Sequence, residues 1–286
     1  MIRRLGLALG LLALSVPAGA KSVLFIGNSF TFGAGSPVQR FHPERVHDLG
    51  GDRIGGVPAL FKTFADQLKL DWQVSLETSP GKDLVWHFEN RAAVLTRPWD
   101  VVLLQGYSTL DKDRPGDPAR HLAGAQSLTG LAIAANPNVR VLLVATWSRA
   151  DLVWQPGARW SGKPITRMAD DLQAASCDAI AAVPAIAATV PVGLAWNRAF
   201  DRQLADPNPF DGIKPGQINL WAADSYHGST EGYYLEALVA FGAVTRIDPR
   251  RLGRHESAAR ELGIKPAIVA ALQRIAAQQL RQKICH

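Results

Sequence analysis

Short runs of apolar residues alternate along the chain with longer stretches in which apolar residues recur every three or four positions. The first pattern is typical of strands buried in a parallel sheet, and the second of helices that cover such a sheet. We predict strands at residues 23–26, 72–76, 100–104, 139–145 and 192–196. Helices are expected at residues 58–69, 84–95, 120–135, 165–188, 231–244 and 267–280. This alternation predicts a three-layer α/β fold, with helices on both faces of a mostly parallel five-stranded sheet.

The first twenty residues differ in pattern from the rest of the chain. Arg3 and Arg4 precede an apolar run of about a dozen residues, and Ala18-Gly19-Ala20 offers the small residues of a cleavage site. We predict a secretory signal peptide over residues 1–20 and a single α/β domain over residues 21–286. An uncleaved membrane anchor is the alternative, although the apolar run is short for one. The mature protein is expected in the periplasm or outside the cell.

The composition of the chain argues against nucleic acids and membranes as binding partners. The 286-residue chain has a formal net charge of +6, but its basic residues are scattered among acidic ones. Nucleic-acid binding usually needs basic residues clustered on one face, so we expect no nucleic-acid partner. No later stretch is long and apolar enough for stable insertion in a membrane. Cys177 and Cys285 could form a disulfide in an oxidising compartment, or Cys177 could be a buried apolar residue.

Polar residues at the ends of the predicted strands indicate where chemistry could occur. Ser29 follows the first strand through Gly27-Asn28, a pair that tolerates a tight turn. Ligands of open α/β sheets bind outside the carboxyl ends of the strands, where this hydroxyl is placed. Asp224 and His227 lie three residues apart in a polar loop and can face each other. The three residues can form a nucleophile, its general base and the carboxylate that orients the base.

Two further strand ends carry candidates for binding an oxyanion. Gly81 follows the second strand, and Gln105 ends the segment that contains the third. If these strands are parallel neighbours of the first, both residues converge on Ser29. The backbone N–H groups of Ser29 and Gly81 and the side-chain amide of Gln105 are then the expected oxyanion donors. Acyl transfer by this set needs no metal and no organic cofactor, and we expect neither.

These blocks, in this order, resemble those of the SGNH or GDSL-type hydrolases over nearly the whole predicted mature chain. The segment Gly27-Asn28-Ser29-Phe30-Thr31 is similar to the nucleophile block, with Asn28 where many members carry aspartate. The segment that begins at Gly81 is similar to the second block, whose glycine is an oxyanion donor in the family. Asp224-Ser225-Tyr226-His227 matches the final Asp-x-x-His block.

The third block departs from the family pattern, because Leu104-Gln105-Gly106-Tyr107 stands where the family usually has Gly-x-Asn-Asp. Gln105 can replace the asparagine amide with one extra methylene. The resemblance implies a flavodoxin-like topology and a serine esterase. Together with export, it implies O-acyl esters as substrates, among them small-molecule esters and acetyl or other acyl esters of carbohydrates.

Two functions of other classes stay open. A flavodoxin-like protein could bind a phosphate or a flavin in the turn that contains Asn28 and Ser29. A non-catalytic carbohydrate-binding relative could keep the same sheet without turnover. Ser108 is a rival nucleophile, but it lacks the second glycine of a Gly-x-Ser-x-Gly turn. His87 lies in a helical pattern, where packing or capping is commoner than catalysis.

Two loops have less certain roles. Residues 32–57 show no clear period and are long for a connection, which indicates a functional loop or an insertion beside the site. Its polar residues His42, His47 and Asp48 are more typical of a surface than of a metal site. The loop after the fourth strand contains three tryptophans, Trp147, Trp154 and Trp160. They could stack on sugar rings, but we favour the interpretation that they are partly buried and anchor the loop.

Overall fold

The computed structural model describes residues 19–285, so the predicted signal peptide lies almost entirely outside the described residues. The described chain contains a six-stranded sheet in the order β2-β3-β1-β4-β5-β6, and all of its strand pairs are parallel. The strands are β1 (Lys21–Gly27), β2 (His47–Asp48), β3 (Trp72–Thr78), β4 (Val101–Gln105), β5 (Arg140–Ala145) and β6 (Ile186–Pro191). The predicted α/β class is confirmed, with one strand more than expected.

Helices cover both faces of this sheet. They are α1 (Gly56–Gln67), α2 (Leu84–Leu95), α3 (Ala119–Ala135), α4 (Ala150–Trp154), α5 (Thr166–Ala182), α6 (Val192–Asp201), α7 (Thr230–Thr245), α8 (Ser257–Glu261) and α9 (Pro266–Leu280). Ser229 caps α7 by accepting a hydrogen bond from the N–H of Gly232. Three short 3-10 helices span Pro37–Arg40, Pro43–Arg45 and Pro249–Leu252.

β1 lies in the middle of the sheet and is buried on both sides. Successive side chains of a strand point to opposite faces, so Val23 and Phe25 belong to one core and Leu24 and Ile26 to the other. The first core includes residues of α1, α6, α7 and α9, whereas the second includes residues of α2 and α3. Both faces of β1 and β4 are covered by core residues, and neither strand has a face toward water. This explains why both strands are continuous apolar runs.

The predicted fifth strand at residues 192–196 is wrong. These residues begin α6, and the strand is β6, whose residues the prediction had placed in a helix and a connection. Ala187 and Ala188 favour a helix locally, but pairing with β5 holds this segment extended. A bulge between Val141 and Leu142 shifts the register of this pairing.

Residues 32–57 supply the additional strand. Within this segment β2 pairs with β3 at the edge of the sheet, and six apolar side chains are buried in the first core: Phe32, Val38, Phe41, Val46, Ile54 and Val57. The hydroxyl of Tyr233 donates to the carbonyl of Ala34 at 3.0 Å. The segment is therefore part of the packed fold, in spite of its irregular sequence.

Cys177 in α5 and Cys285 near the end of the chain form a disulfide, with their Cα atoms 5.2 Å apart. The bridge joins positions separated by 108 residues. None of the helices among residues 19–285 is long and apolar enough to cross a membrane.

Candidate active site

The carboxyl ends of three neighbouring strands meet at one edge of the sheet. Gly27 of β1 is in register with Thr78 of β3, and Ile26 is in register with Leu104 of β4. The loops that carry Ser29, Gly81 and the end of β4 therefore start side by side, which confirms the predicted convergence of these strand ends.

The side chain of Asn28 joins these three loops. Its Nδ2 donates to the carbonyl oxygens of Lys82 at 2.9 Å and Gly106 at 3.1 Å, while its Oδ1 accepts from the N–H of Phe30 at 3.2 Å. The turn itself is closed by the N–H of Phe32, which donates to the Asn28 carbonyl at 3.1 Å. Asn28 is 2 % exposed, so these contacts lie beneath Ser29, away from solvent. An asparagine suits this position because one amide supplies both donors and an acceptor.

The backbone N–H groups of Ser29 and Gly81 lie at this edge of the sheet, just past the ends of β1 and β3. Among residues 19–285, neither the N–H of Ser29 nor that of Gly81 donates a hydrogen bond. Gly81 has a φ of +66°, a left-handed conformation that glycine adopts without steric cost. Free N–H groups at strand ends can bind a developing negative oxygen, as the sequence predicted for both residues.

Gln105 lies at the end of β4 as expected, but its amide is directed into the protein. Its Oε1 accepts from the N–H of Asn28 at 2.9 Å and from Oγ1 of Thr31 at 3.0 Å, and its Nε2 donates to the Gly106 carbonyl. The side chain is 1 % exposed. Because the Asn28 N–H can only donate, it determines which end of the amide is the oxygen. This arrangement does not support the expected role of Gln105 as an oxyanion donor; the residue braces the nucleophile turn instead.

A loop whose ends are joined by an isolated β-bridge between Trp221 and Gly228 brings Asp224 and His227 together. Oδ2 of Asp224 lies 2.7 Å from Nδ1 of His227, and its Oδ1 accepts from the N–H groups of Tyr226 at 3.0 Å and His227 at 2.9 Å. Partial burial alone would raise the pKa of Asp224, but the hydrogen bonds from the His227 side chain and these N–H groups outweigh it and lower the pKa. An ionised carboxylate only accepts, so Nδ1 of His227 carries the proton and Nε2 is left as an acceptor in the neutral ring.

Nε2 of His227 is buried and has no hydrogen-bond partner among the described residues. The imidazole packs against Phe30, which follows Ser29, with ring centroids 5.7 Å apart. The Ser29 hydroxyl likewise makes no hydrogen bond within residues 19–285, and Ser29 is 8 % exposed. A hydroxyl and a ring nitrogen that both lack partners thus lie on neighbouring segments, with Tyr233 holding the Ser29 carbonyl at 3.3 Å.

Aromatic residues pack beneath the two loops. Trp147 stacks on Trp196 with centroids 4.5 Å apart and lies 4.5 Å from Phe30. Trp147 and Trp160 are fully buried, whereas Trp154 is exposed on 46 % of its surface. The anchoring role expected for these tryptophans therefore fits Trp147 and Trp160, which cannot stack on a sugar.

Ser108 and His87, two other candidates, are placed away from solvent. The Ser108 hydroxyl is buried and has no partner among the described residues, so it is not presented to a substrate. His87, on α2, is buried and paired with Glu77 of β3. His42 is bound between Glu44 and Glu261 at 2.7 and 2.6 Å. Within residues 19–285 no group of three or more His, Cys, Asp or Glu side chains is arranged to hold a metal ion.

Arg149, which follows β5, was not among the residues predicted for the site. Its guanidinium lies 3.7 Å from the centre of the Tyr226 ring. In the sequence, Tyr226 stands between Asp224, the candidate carboxylate, and His227, the candidate base. A pair of residues so far apart in sequence has no local pattern that could reveal it.

A cavity of about 600 Å³ is lined by β6 and by the ends of α7 and α9, and none of the candidate catalytic residues lines it.

No family profile and no curated protein sequence matches this chain. Solved structures do. A DUF4886 family protein from Bacteroides uniformis is 18 % identical, with a TM-score of 0.63 and coverage of 91 % of this chain and 94 % of that one. A protein assigned as a GDSL-like lipase, from Parabacteroides merdae, is 16 % identical, with a TM-score of 0.53 and coverage of 80 % and 96 %.

The psychrotrophic esterase EstA from Pseudoalteromonas sp. is 12 % identical, with a TM-score of 0.50 and coverage of 79 % of this chain and 97 % of that one. At these identities the likeness concerns the fold. The chain has the fold of SGNH or GDSL-type hydrolases, as its sequence blocks predicted.

Proposed function

We propose that this chain is a serine ester hydrolase in which Ser29 is the nucleophile, His227 the general base and Asp224 the residue that orients the base. The observation that carries the proposal is the 2.7 Å contact of Asp224 with Nδ1 of His227, which leaves Nε2 buried beside the Ser29 turn and without a partner among residues 19–285. A histidine held in this tautomer by a carboxylate is suited to accept a hydroxyl proton.

The proposed reaction uses the free groups of the site in two steps. Nε2 of His227 accepts the Ser29 proton as Oγ bonds to the ester carbonyl carbon, and the carbonyl oxygen becomes negative. The N–H groups of Ser29 and Gly81 bind that oxygen. The bond to the alcohol then breaks, and the alcohol leaves with the proton from His227. Water, deprotonated by His227, then attacks the acyl carbon. The bond from that carbon to Oγ breaks, Ser29 takes the proton back from His227, and the acid is released.

Small O-acyl esters, including acetyl esters of carbohydrates, are the proposed substrate class. The EstA neighbour is an esterase, and three of the sequence blocks resemble those of an esterase family. We also propose export to the periplasm or beyond, with residues 21–286 as one domain. The Cys177–Cys285 disulfide supports this, since such bonds persist in oxidising compartments.

A phosphate- or flavin-binding role has less support from the geometry. Three N–H groups of the turn, those of Asn28, Phe30 and Phe32, already donate to Gln105 or Asn28. A phosphate in this turn would need such N–H groups for itself. No contact of the described residues favours a binding role without turnover.

The test combines a chemical probe with turnover. A fluorophosphonate should label wild-type protein at Ser29, as located by peptide mass spectrometry, whatever the natural ester is. Hydrolysis of p-nitrophenyl acetate should fall at least ~10³-fold in Ser29→Ala and persist in the matched variant Ser108→Ala and with a chelator. Equal activity of wild type and Ser29→Ala would overturn the assignment.

A further inference from the structure

The loop that carries His227 is not held in shape by its own contacts alone. The N–H of Ala222 donates to the His227 carbonyl at 2.7 Å, which closes the base of the loop. At its tip Ser225 has a φ of +56°, a left-handed conformation that residues other than glycine rarely adopt. Such a conformation persists only where surrounding structure holds it.

The segment after β5 provides that support. The N–H of Asp151 donates to the Ser225 carbonyl at 3.2 Å, and Nε1 of Trp147 donates to the Tyr226 carbonyl at 3.2 Å. Two consecutive carbonyls of the loop are therefore bound from one neighbouring segment. These bonds position the backbone, but they leave the directions of the Tyr226 and His227 rings undetermined.

Arg149 contacts the ring of Tyr226, which in turn contacts the ring of His227. Its guanidinium carbon lies 3.7 Å from the centroid of the Tyr226 ring. The Tyr226 ring in turn packs on the imidazole of His227, with centroids 4.0 Å apart and planes inclined by 33°. A planar guanidinium can stack on an aromatic ring in a way that an ammonium cannot.

Asp151 fixes the guanidinium in this place. Its carboxylate accepts from Nε of Arg149 at 3.1 Å and from Nη2 at 2.6 Å, and the Arg149 and Asp151 side chains are 15 % and 19 % exposed. This fork restricts the rotation of the guanidinium. It also neutralises a positive charge that would otherwise oppose protonation of the nearby imidazole during the reaction.

We propose that Arg149 is a positioning residue, which acts through Tyr226 to hold the imidazole of His227 in the orientation that presents Nε2 to Ser29. This inference rests on the proposed role of His227 as the base. Arg149 itself touches neither the nucleophile nor its proton.

The kinetic test compares Arg149→Met with a matched variant, Arg159→Met. The guanidinium of Arg159, in the same segment, lies 5.8 Å from the ring of Trp160, and among residues 19–285 no hydrogen bond or ion pair joins it to the His227 loop. Arg149→Met should lower kcat for p-nitrophenyl acetate roughly 10- to 100-fold with KM within about threefold, because a misplaced base slows the chemical step. Arg149→Lys should recover part of the loss, since it keeps the charge without the stacking plane. Equal losses in Arg149→Met and Arg159→Met would overturn the proposal.

A double-mutant cycle tests whether Arg149 acts through Tyr226. In a Tyr226→Leu background, the additional change Arg149→Met should alter kcat by less than about twofold. A further large loss in that background would contradict the proposed route.

A measurement without substrate separates this proposal from the proposed esterase function. The proton on Nδ1 of His227 should give a downfield NMR signal, assigned by its loss in Asp224→Asn. The signal should broaden or vanish in Arg149→Met and persist in Arg159→Met, with circular dichroism confirming that each variant is folded. An unchanged signal in Arg149→Met overturns the positioning role, even if the wild type hydrolyses no ester. Failure of Ser29→Ala to reduce turnover, by contrast, concerns the nucleophile alone.

Discussion

The side-chain oxygen of Gln105, at the end of one strand, accepts a hydrogen bond from the backbone N–H of Asn28, just past the end of its neighbour, at 2.9 Å. This contact ties the turn that carries Ser29 to β4. It also explains why Gly27 precedes the turn, because a Cβ there would lie 2.6 Å from the Gln105 oxygen and 2.2 Å from Oγ1 of Thr31.

Loss of the Gln105 side chain should lower the stability of the protein and have little effect on the rate of ester hydrolysis. Gln105→Ala leaves the Asn28 N–H and the Thr31 hydroxyl unpaired in the interior, so the free energy of unfolding should fall by roughly 2–4 kcal/mol. Urea denaturation measures it, with Gln73→Ala at an exposed position of β3 as the control. If Gln105→Ala instead kept its stability and lost about 10²- to 10³-fold in kcat, the side chain would be an oxyanion donor after all.

Asn28→Asp should harm this protein, although many proteins with similar blocks carry aspartate there. A carboxylate cannot donate to the carbonyl oxygens of Lys82 and Gly106, and it would repel both. We expect a loss of roughly 2–4 kcal/mol in unfolding free energy and a lower turnover, since the loop with Gly81 loses its link to the turn.

Asn90→Asp is the matched control for this substitution. The Asn90 amide also donates to a carbonyl, that of Trp86 at 2.9 Å, but on the protein surface, where water can replace the bond. The unfolding free energy of the Asn90→Asp variant should differ from that of the wild type by about 0.5 kcal/mol or less. Wild-type stability in Asn28→Asp would show that the amide donations are dispensable.

The Cys177–Cys285 disulfide should contribute strongly to stability. It closes a loop with a sequence separation of 108, for which the chain-entropy relation gives about 4–5 kcal/mol. Reduction should therefore lower the urea midpoint markedly, and the double variant Cys177→Ser/Cys285→Ser should be equally labile and indifferent to reductant. The same midpoint with and without reductant in the wild type would show that the bridge does not form.

His121 should make the protein less stable in mild acid. It is fully buried on α3, both ring nitrogens lack partners among the described residues, and burial lowers its pKa to about 4. Between this pKa and the unfolded value of about 6.5, only the unfolded chain binds the proton, so stability falls as the pH falls. From pH 7 to pH 5 this histidine should cost about 2 kcal/mol.

Comparison of variants isolates this effect from that of other titrating groups. His121→Leu removes the buried imidazole and should lose about 2 kcal/mol less than the wild type between pH 7 and pH 5 in urea denaturation. His255→Leu, at an exposed position, should keep the acid sensitivity of the wild type. Identical pH dependence in His121→Leu and the wild type would exclude His121 as the cause.

Local signals in the sequence predicted much of the fold. The apolar period placed α2 at its observed bounds, because a helix of this kind is determined by its own residues and by its cap, here Asp83, which accepts from the N–H of Trp86. β6 was missed, because its extended conformation depends on pairing with β5, and residues 187 and 188 alone favour a helix.

The site followed the same division. The positions of Ser29, Gly81 and Gln105 at strand ends were predictable, because a buried apolar run that stops at a polar residue marks the end of a strand. The direction of the Gln105 amide depends on an N–H from another strand, and the contact of Arg149 with Tyr226 joins two distant loops. Neither leaves a pattern in the residues around it.

The central place of β1 has a consequence for how the protein is made. Its hydrogen-bonding partners β3 and β4 follow it in the chain, and the loop with Asp224 and His227 comes later than every strand of the sheet. During synthesis the serine therefore emerges among the earliest described residues, while its proposed base emerges after the sheet can close. Contacts between such distant segments form slowly. Hydrolysis by a nascent or refolding chain should consequently report the completion of folding, rather than the formation of the sheet.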